Sequence, residues 1–158
     1  MSRFHKYDAA KAQLQTAVSM FLEGRDRSSV ITLAGAARGI LDELVRRSGQ
    51  ETFLDYARRV QRELSGTTPK RSAYSHHIST RLGVVAHRHM WPDDSETIDL
   101  DLEKQAADAL GRAIADYISP NGQEEPFVKA FLSWSWHNQD GPAIMERFRQ
   151  APERLKPE

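Results

Sequence analysis

The 158-residue chain is predicted to fold as an all-α, antiparallel up-and-down bundle of about five to seven helices. Apolar residues recur at three- and four-residue steps along almost its whole length, the spacing of one helix face. No segment shows the alternation of a strand, and short turns favour antiparallel contact between successive helices. We expect a single domain over residues 1–150 and a frayed tail over residues 151–158.

The first two helices follow from apolar stripes and their end signals. Asp8 is predicted to cap the first helix, which Gly24 ends. Ser28 or Ser29 is predicted to cap the second, whose wide apolar stripe runs from Val30 to Leu44. A wide stripe indicates burial on several sides, so this helix is predicted to be the most buried.

The third and fourth helices lie on either side of the breaker at residues 66–69, Gly-Thr-Thr-Pro. The third is predicted from about residue 51 to residue 64. The fourth carries the histidine-rich stretch at residues 76–89 and is predicted to end at the Trp-Pro-Asp-Asp of residues 91–94.

Three further helices complete the predicted bundle. Asp99 is expected to cap the fifth helix, and Pro126 suits the first turn of the sixth. The sequence Asp-Gly-Pro at residues 140–142 is predicted to start a short seventh helix.

Composition excludes several classes of protein. Apolar residues make up 39% of the chain and charged residues 28%, as expected of a globular domain, and no run is long enough to cross a membrane. Basic and acidic residues number 22 each, so nonspecific coating of nucleic acid is not expected. The chain has no cysteine, which removes disulfides, thiolate zinc sites and cysteine nucleophiles. With an N-terminus unlike a signal peptide, we expect a cytoplasmic protein.

Charge is distributed unevenly along this neutral chain. Residues 64–92 contain no Asp or Glu, and residues 76–89 hold four of the six histidines. An acidic run follows directly from Asp93 to Glu103. A local basic field of this kind can attract an anion or a protein partner even when net charge predicts neither.

The histidines do not have the spacing of metal ligands. No pair is separated by three or four residues, and His76 and His87 would lie roughly 16 Å apart along one helix. We therefore expect no metal or cofactor. A metal-dependent enzyme that uses these histidines with the acidic run remains a minor alternative.

Arg81 and His87 match the spacing Arg-x(4–6)-His, in which a guanidinium can hold a phosphate while an imidazole moves a proton. On a continuous helix they would share a polar flank with His76, His77 and Arg88, the predicted phosphate- or anion-binding residues. The opposite stripe, which is expected to face the core, consists of Ile78, Leu82, Val85 and His89.

A solvated polar flank explains the same residues without any ligand. The Arg-x(4–6)-His spacing arises readily by chance, since Arg71 also forms it with His76 and His77. The aromatic residues of the sixth helix, among them Trp134 and Trp136, are more typical of a core or a dimer contact than of a base-stacking surface.

Two stretches resemble a family of short, uncharacterised bacterial helical proteins. Residues 21–37, FLEGRDRSSVITLAGAA, resemble the family's first signature. Residues 83–88, GVVAHR, lie where that family typically shows Asn-Phe-Phe-Lys-His-Ala, and Asp93-Asp94 continue the similarity. These proteins in turn resemble the HEPN superfamily of helical bundles. The resemblance covers roughly residues 13–118.

The HEPN resemblance implies two kinds of function. Many HEPN proteins are dimeric, metal-independent ribonucleases whose Arg-x(4–6)-His pairs meet at the dimer axis, and here that motif falls on Arg81 and His87. Others are non-catalytic partners in toxin–antitoxin or nucleotide-related systems. Leu82 lies where active HEPN enzymes usually have a polar residue. Ile31 and Gly83 replace the usual histidine and asparagine of the two signatures of the short bacterial family.

We therefore expect a HEPN-like, non-catalytic homodimer that binds a protein partner or an anion such as RNA or a nucleotide phosphate. The alternative is a metal-independent endoribonuclease with a composite Arg81 and His87 site at the dimer interface.

Overall fold

The structure is a computed structural model that describes all 158 residues, and it is entirely helical. Seven α-helices and one 3₁₀ turn follow one another without a strand, which confirms the all-α prediction. The elements are α1 Lys6–Leu22, α2 Arg27–Arg47, α3 Phe53–Ser65, α4 Arg71–Arg81, α5 Leu102–Asn121, α6 Pro126–Asn138, α7 Gly141–Gln150 and the 3₁₀ turn Glu153–Leu155. None of the helices is both long and apolar enough to span a bilayer.

The core lies where α2 packs against both α1 and α5. Fully buried side chains from all three helices meet there, including Leu14, Ile31 and Leu110. α2 is not the most buried helix: it contributes seven buried residues and α5 contributes eight. The two helices therefore share the central position.

Three helices begin at other residues than the sequence pattern predicts. The observed N-caps are His5, Asp26 and Asp101, in place of Asp8, Ser28 or Ser29, and Asp99. In α2 the carboxylate of Asp26 accepts the N–H of Ser29 at 2.8 Å, so both serines lie inside the first turn. The shorter hydroxyl side chains are therefore not needed as caps there.

α4 is shorter than predicted because Gly83 adopts the left-handed conformation, with φ of 75°. The chain continues from Leu82 through a series of turns rather than as helix. This change of direction brings Val84 into the core in place of Val85. The predicted single helix through residue 89 is therefore wrong, since a glycine in this conformation ends a helix.

His89 is exposed, so its predicted place in the core is also wrong. Its ring stacks on the indole of Trp91, with ring centroids 5.2 Å apart. Ile78 and Leu82, from the same predicted stripe, are buried as expected.

The tail after Ala151, for which the sequence predicts fraying, forms the 3₁₀ turn and lies against α3. The Tyr56 hydroxyl donates to the carbonyl of Leu155 at 2.8 Å, and Arg59 donates to the carbonyls of Arg154 and Lys156, both at 2.7 Å.

Candidate anion-binding site

Two surface grooves are lined by side chains of α4. The first, here called the arginine groove, also involves α5 and contains Tyr74, His77, Arg81, Lys104, Gln105, Asp108 and Arg112 among its lining residues. The second, here called the serine groove, is lined by Arg46, Arg71, Ser72, Ser75, His76, Ser79, Val85, Arg88, His89 and Trp91. The basic residues predicted from the sequence are thus divided between two sites.

Arg112 of α5 is the most unusual side chain of the arginine groove. Its guanidinium forms neither an ion pair nor a hydrogen bond within the chain, and Nη1 is buried without a partner. The flat face of the group lies over the ring of Phe53, with Cζ 4.6 Å from the ring centroid. This cation–π contact orients the guanidinium and satisfies none of its N–H donors, of which those on the buried Nη1 are closed to solvent.

Other arginines surround Arg112. Burial is the main cause that lowers the pKa of Arg112, and the positive charges of Arg38 and, more weakly, Arg81 lower it further. Arg81 has no carboxylate partner, and Arg38 donates only to the hydroxyl of Ser79, at 3.3 Å. Arg38, Arg81 and Arg112 therefore come together from three helices, and none of them forms an ion pair with a carboxylate.

The remaining polar groups of the arginine groove offset this charge only in part, since Tyr74 and Asp108 act to raise the pKa of Arg112. Its only lining carboxylate, Asp108, is paired with Lys104 at 2.6 Å. His77, another lining residue, stacks on Tyr74 with ring centroids 6.3 Å apart. The result is a concave surface with an excess of hydrogen-bond donors, which is the chemistry of an anion site.

The serine groove holds two of the predicted anion-binding residues, His76 and Arg88. Its other arginines are already paired. Arg46 binds Glu43 at 3.0 Å, and Arg71 binds the carboxylate of Asp42 at 2.8 Å. Fewer free guanidinium groups therefore face this groove than the arginine groove.

Arg71 belongs to a structural network beneath α4. It donates to Asp55 and to Asp42, linking α3 and α2 to the start of α4. Burial alone would raise the pKa of Asp55, but hydrogen bonds from Arg71 and Arg58 outweigh it and hold the pKa below its usual value. These ionised pairs are half-buried and fix the position of α4.

His87 lies apart from both grooves and from Arg81. Its Nδ1 is 2.7 Å from the carbonyl oxygen of Gly83, and its Nε2 is 3.0 Å from Oγ of Ser28 in α2. Within one chain, Arg81 lines the arginine groove while His87 lines a shallow groove beside α2. The two predicted catalytic residues are thus not brought together in a single subunit.

The histidines and acidic residues form no group of three that could hold a metal ion. Asp94 instead accepts the N–H of Trp91 at 2.8 Å, and Asp101 accepts the N–H of Lys104 at 3.0 Å. These two members of the acidic run therefore serve as turn and helix caps.

Sequence reasoning missed Arg112, Arg38 and Ser28 as site residues. One signal was available for Arg112: it lies between Asp108 and Asp116 at four-residue steps, a charged stripe in an otherwise apolar helix. A charged stripe flanked by apolar residues indicates charges at the margin of the core rather than on a free surface. No local pattern connects Arg38 to this stripe, since they meet only in the folded chain.

Comparisons with known proteins gave no match: no protein-family model fits the chain, and neither the curated proteins nor the solved structures contain a similar one.

Proposed function

We propose that the protein binds a small phosphate-bearing ligand in the arginine groove through Arg112 and Arg81, and that no reaction takes place in this groove. The observation that carries this proposal is the unpaired guanidinium of Arg112, with Nη1 buried and lacking an acceptor. A buried polar group without a partner is costly, and a buried charge more so. A phosphate between the two arginines would supply acceptors and offset their repulsion.

The dimensions of the groove support a small ligand. Its volume is about 630 Å³, within the range usual for small-molecule sites. The side chains of Gln61, Gln105 and Tyr74 supply neutral hydrogen-bonding groups around the cations. Such groups can recognise the rest of a phosphorylated molecule, whereas the arginines hold its charge.

Calorimetric titration with inorganic pyrophosphate at fixed ionic strength tests the proposal. Arg112→Gln and Arg81→Gln each remove one proposed anion ligand, and each is expected to weaken binding by about 10- to 100-fold, the usual effect of a charged hydrogen bond. Arg88→Gln is the matched control, because it removes the same charge from the serine groove. Its dissociation constant is expected to stay within about twofold of wild type.

Two results would contradict the proposal. Wild-type protein that binds no pyrophosphate would remove the anion site. Equal weakening by Arg88→Gln and Arg112→Gln would show a diffuse attraction by overall charge instead of a defined site.

An antiparallel, HEPN-like arrangement and a homodimer form part of the same proposal. The support for a dimer is a set of large apolar side chains exposed on α6 and α7: Trp136, Ile144, Met145 and Phe148. Burial of such residues between two copies would remove apolar surface from water. Light scattering is expected to give twice the chain mass, and a monomer mass at high concentration would contradict the dimer.

The ribonuclease alternative needs two subunits, because Arg81 and His87 line different grooves of one chain. It predicts RNA cleavage that EDTA does not inhibit and that His87→Ala abolishes. Arg81→Lys is expected to be damaging as well, since an ammonium cannot form the two parallel hydrogen bonds of a guanidinium. No cleavage by wild-type protein would leave the binding module as the better account.

A further inference from the structure

His87 and Ser28 form a hydrogen-bonded pair that the anion site does not use. The carbonyl oxygen of Gly83 can only accept, so the His87 Nδ1 atom 2.7 Å from it must carry the hydrogen. In the neutral ring Nε2 is then the acceptor, and the hydroxyl of Ser28 donates to it over 3.0 Å. This is the arrangement of a nucleophile, its general base and a group that orients the base.

Local structure holds both members of the pair in place. Ser28 lies in the first turn of α2, which Asp26 caps. His87 is fixed twice to Gly83, since its own N–H also donates to that carbonyl, at 3.1 Å. Hydrogen bonds from the hydroxyl and the N–H of Ser29 lower the pKa of Asp26, so the carboxylate that caps this turn is ionised.

The Ser28 hydroxyl opens onto a shallow groove of about 500 Å³. Met20 and Leu33 supply its apolar lining, and Thr32 lies beside them. No basic side chain other than His87 lines it. The groove therefore suits a small, uncharged, partly apolar group rather than the anion proposed for the arginine groove.

We propose that Ser28 is a nucleophile activated by His87 and that it accepts the acyl group of a small activated ester. In this step Oγ of Ser28 forms a bond to the carbonyl carbon while its proton moves to Nε2 of His87. The bond from the carbonyl carbon to the leaving oxygen breaks, and the leaving alcohol takes the proton from His87. The products are an acylated Ser28 and a free alcohol.

The first turn of α2 bears on the rate of acyl transfer to and from Ser28. The N–H of Ser29 donates to the carboxylate of Asp26 at 2.8 Å, and the N–H of Ser28 lies close enough to help lower the pKa of that carboxyl. They are therefore not free to stabilise an oxyanion, the contribution that speeds turnover most in acyl transfer. Formation and hydrolysis of the acylated serine both pass through an oxyanion, so both steps are expected to be slow.

Labelling with an alkyl fluorophosphonate tests the proposal directly. Oγ of Ser28 would form a bond to phosphorus, the phosphorus–fluorine bond would break, fluoride would leave, and the proton would move to His87. Mass spectrometry of the intact protein and its peptides is expected to show one adduct, on Ser28. Ser28→Ala is expected to abolish it, and Ser133→Ala, a control at an exposed serine of α6, to leave the rate unchanged.

The role of His87 as a general base is tested by comparing the labelling rates of the wild type and a His87 variant. His87→Gln is expected to slow labelling by about 100-fold or more, the usual contribution of a general base. Circular dichroism checks that this variant folds, and if it does not, labelling of folded and urea-unfolded wild type gives the same comparison. Failure to label Ser28 would overturn the proposal. Equal labelling rates for His87→Gln and wild type, or for unfolded and folded wild type, would overturn it as well. Neither result bears on pyrophosphate binding in the arginine groove.

Discussion

Val84, in the turns that follow α4, lies directly over Gly35 of α2. A β-carbon at residue 35 would come within 2.7 Å of Cγ1 of Val84, closer than packed atoms can approach. The segment that carries His87 therefore docks on α2 at a position where only glycine fits. This contact between α2 and the segment after α4 therefore helps to place His87 beside Ser28.

Gly35→Ala is expected to lower the free energy of unfolding by about 1–3 kcal/mol, because the added carbon must displace a stiff, buried valine. Gly39→Ala is the matched control in the same helix. A β-carbon there meets nothing within 4 Å, so better helix propensity is expected to stabilise by about 0.5–1 kcal/mol. Urea denaturation measures both, and equal effects would contradict the close contact.

Leu41→Ala is expected to cost about 2–5 kcal/mol, since Leu41 is 1% exposed and the change leaves a cavity. Leu33→Ala is expected to cost clearly less, because Leu33 is half-buried at the edge of the Ser28 groove and water can fill the space. The same denaturation experiment compares them. A loss at Leu33 as large as that at Leu41 would show that the boundary of the core is misplaced.

Asp116 predicts a specific pH dependence of stability. Burial is the main cause that raises its pKa from 3.8 to about 6, although Oδ1 accepts the N–H of Phe53 at 2.8 Å. The folded chain therefore holds this proton more tightly than the unfolded chain. Ionisation of Asp116 then destabilises the fold as pH rises from about 4 to about 7, by up to about 3 kcal/mol.

Asp116→Asn removes this ionisation and keeps an acceptor for Phe53. The stability of the variant relative to wild type is expected to improve steadily from about pH 4 to pH 7. The contributions of other carboxylates, such as Asp55, are common to both proteins and cancel in the difference. A difference that does not change with pH would contradict the burial of an ionisable Asp116.

Arg112→Met is expected to stabilise the ligand-free protein by about 1 kcal/mol. The variant removes an unpaired charge from a half-buried position and fills the space with an apolar chain, a replacement that is often stabilising for buried ions. Arg88→Met, on the exposed side of the serine groove, is expected to change stability by less than about 0.5 kcal/mol. A loss of stability in Arg112→Met would show that Arg112 is structural rather than held for a ligand.

The fold class could be predicted from the sequence because helical periodicity depends only on local spacing. The end of α4 could have been predicted as well, since Gly83 is a left-handed helix terminator. The apolar residues Val84 and Val85 after it continued the helical pattern and outweighed that signal. Because the chain changes direction at Gly83, Val84 enters the core instead of Val85.

The candidate site could be predicted only in part. The acid-free segment predicts a basic surface on α4, because the pattern of charge along one helix is local information. Arg112 joins that surface from α5, Arg38 of α2 binds Ser79 of α4, and Ser28 meets His87 across 59 positions of sequence. These contacts depend on how α2 and α5 pack in the folded chain, and no single stretch of sequence predicts that packing.

The most direct test of the central claim is NMR observation of the arginine Nε–H groups during titration with inorganic phosphate. The account predicts saturable shifts of the Arg112 and Arg81 resonances with one common dissociation constant, while the resonance of Arg88 moves little. Shifts confined to Arg88 and Arg46, or unsaturable shifts of every exposed arginine alike, would contradict an anion site in the arginine groove.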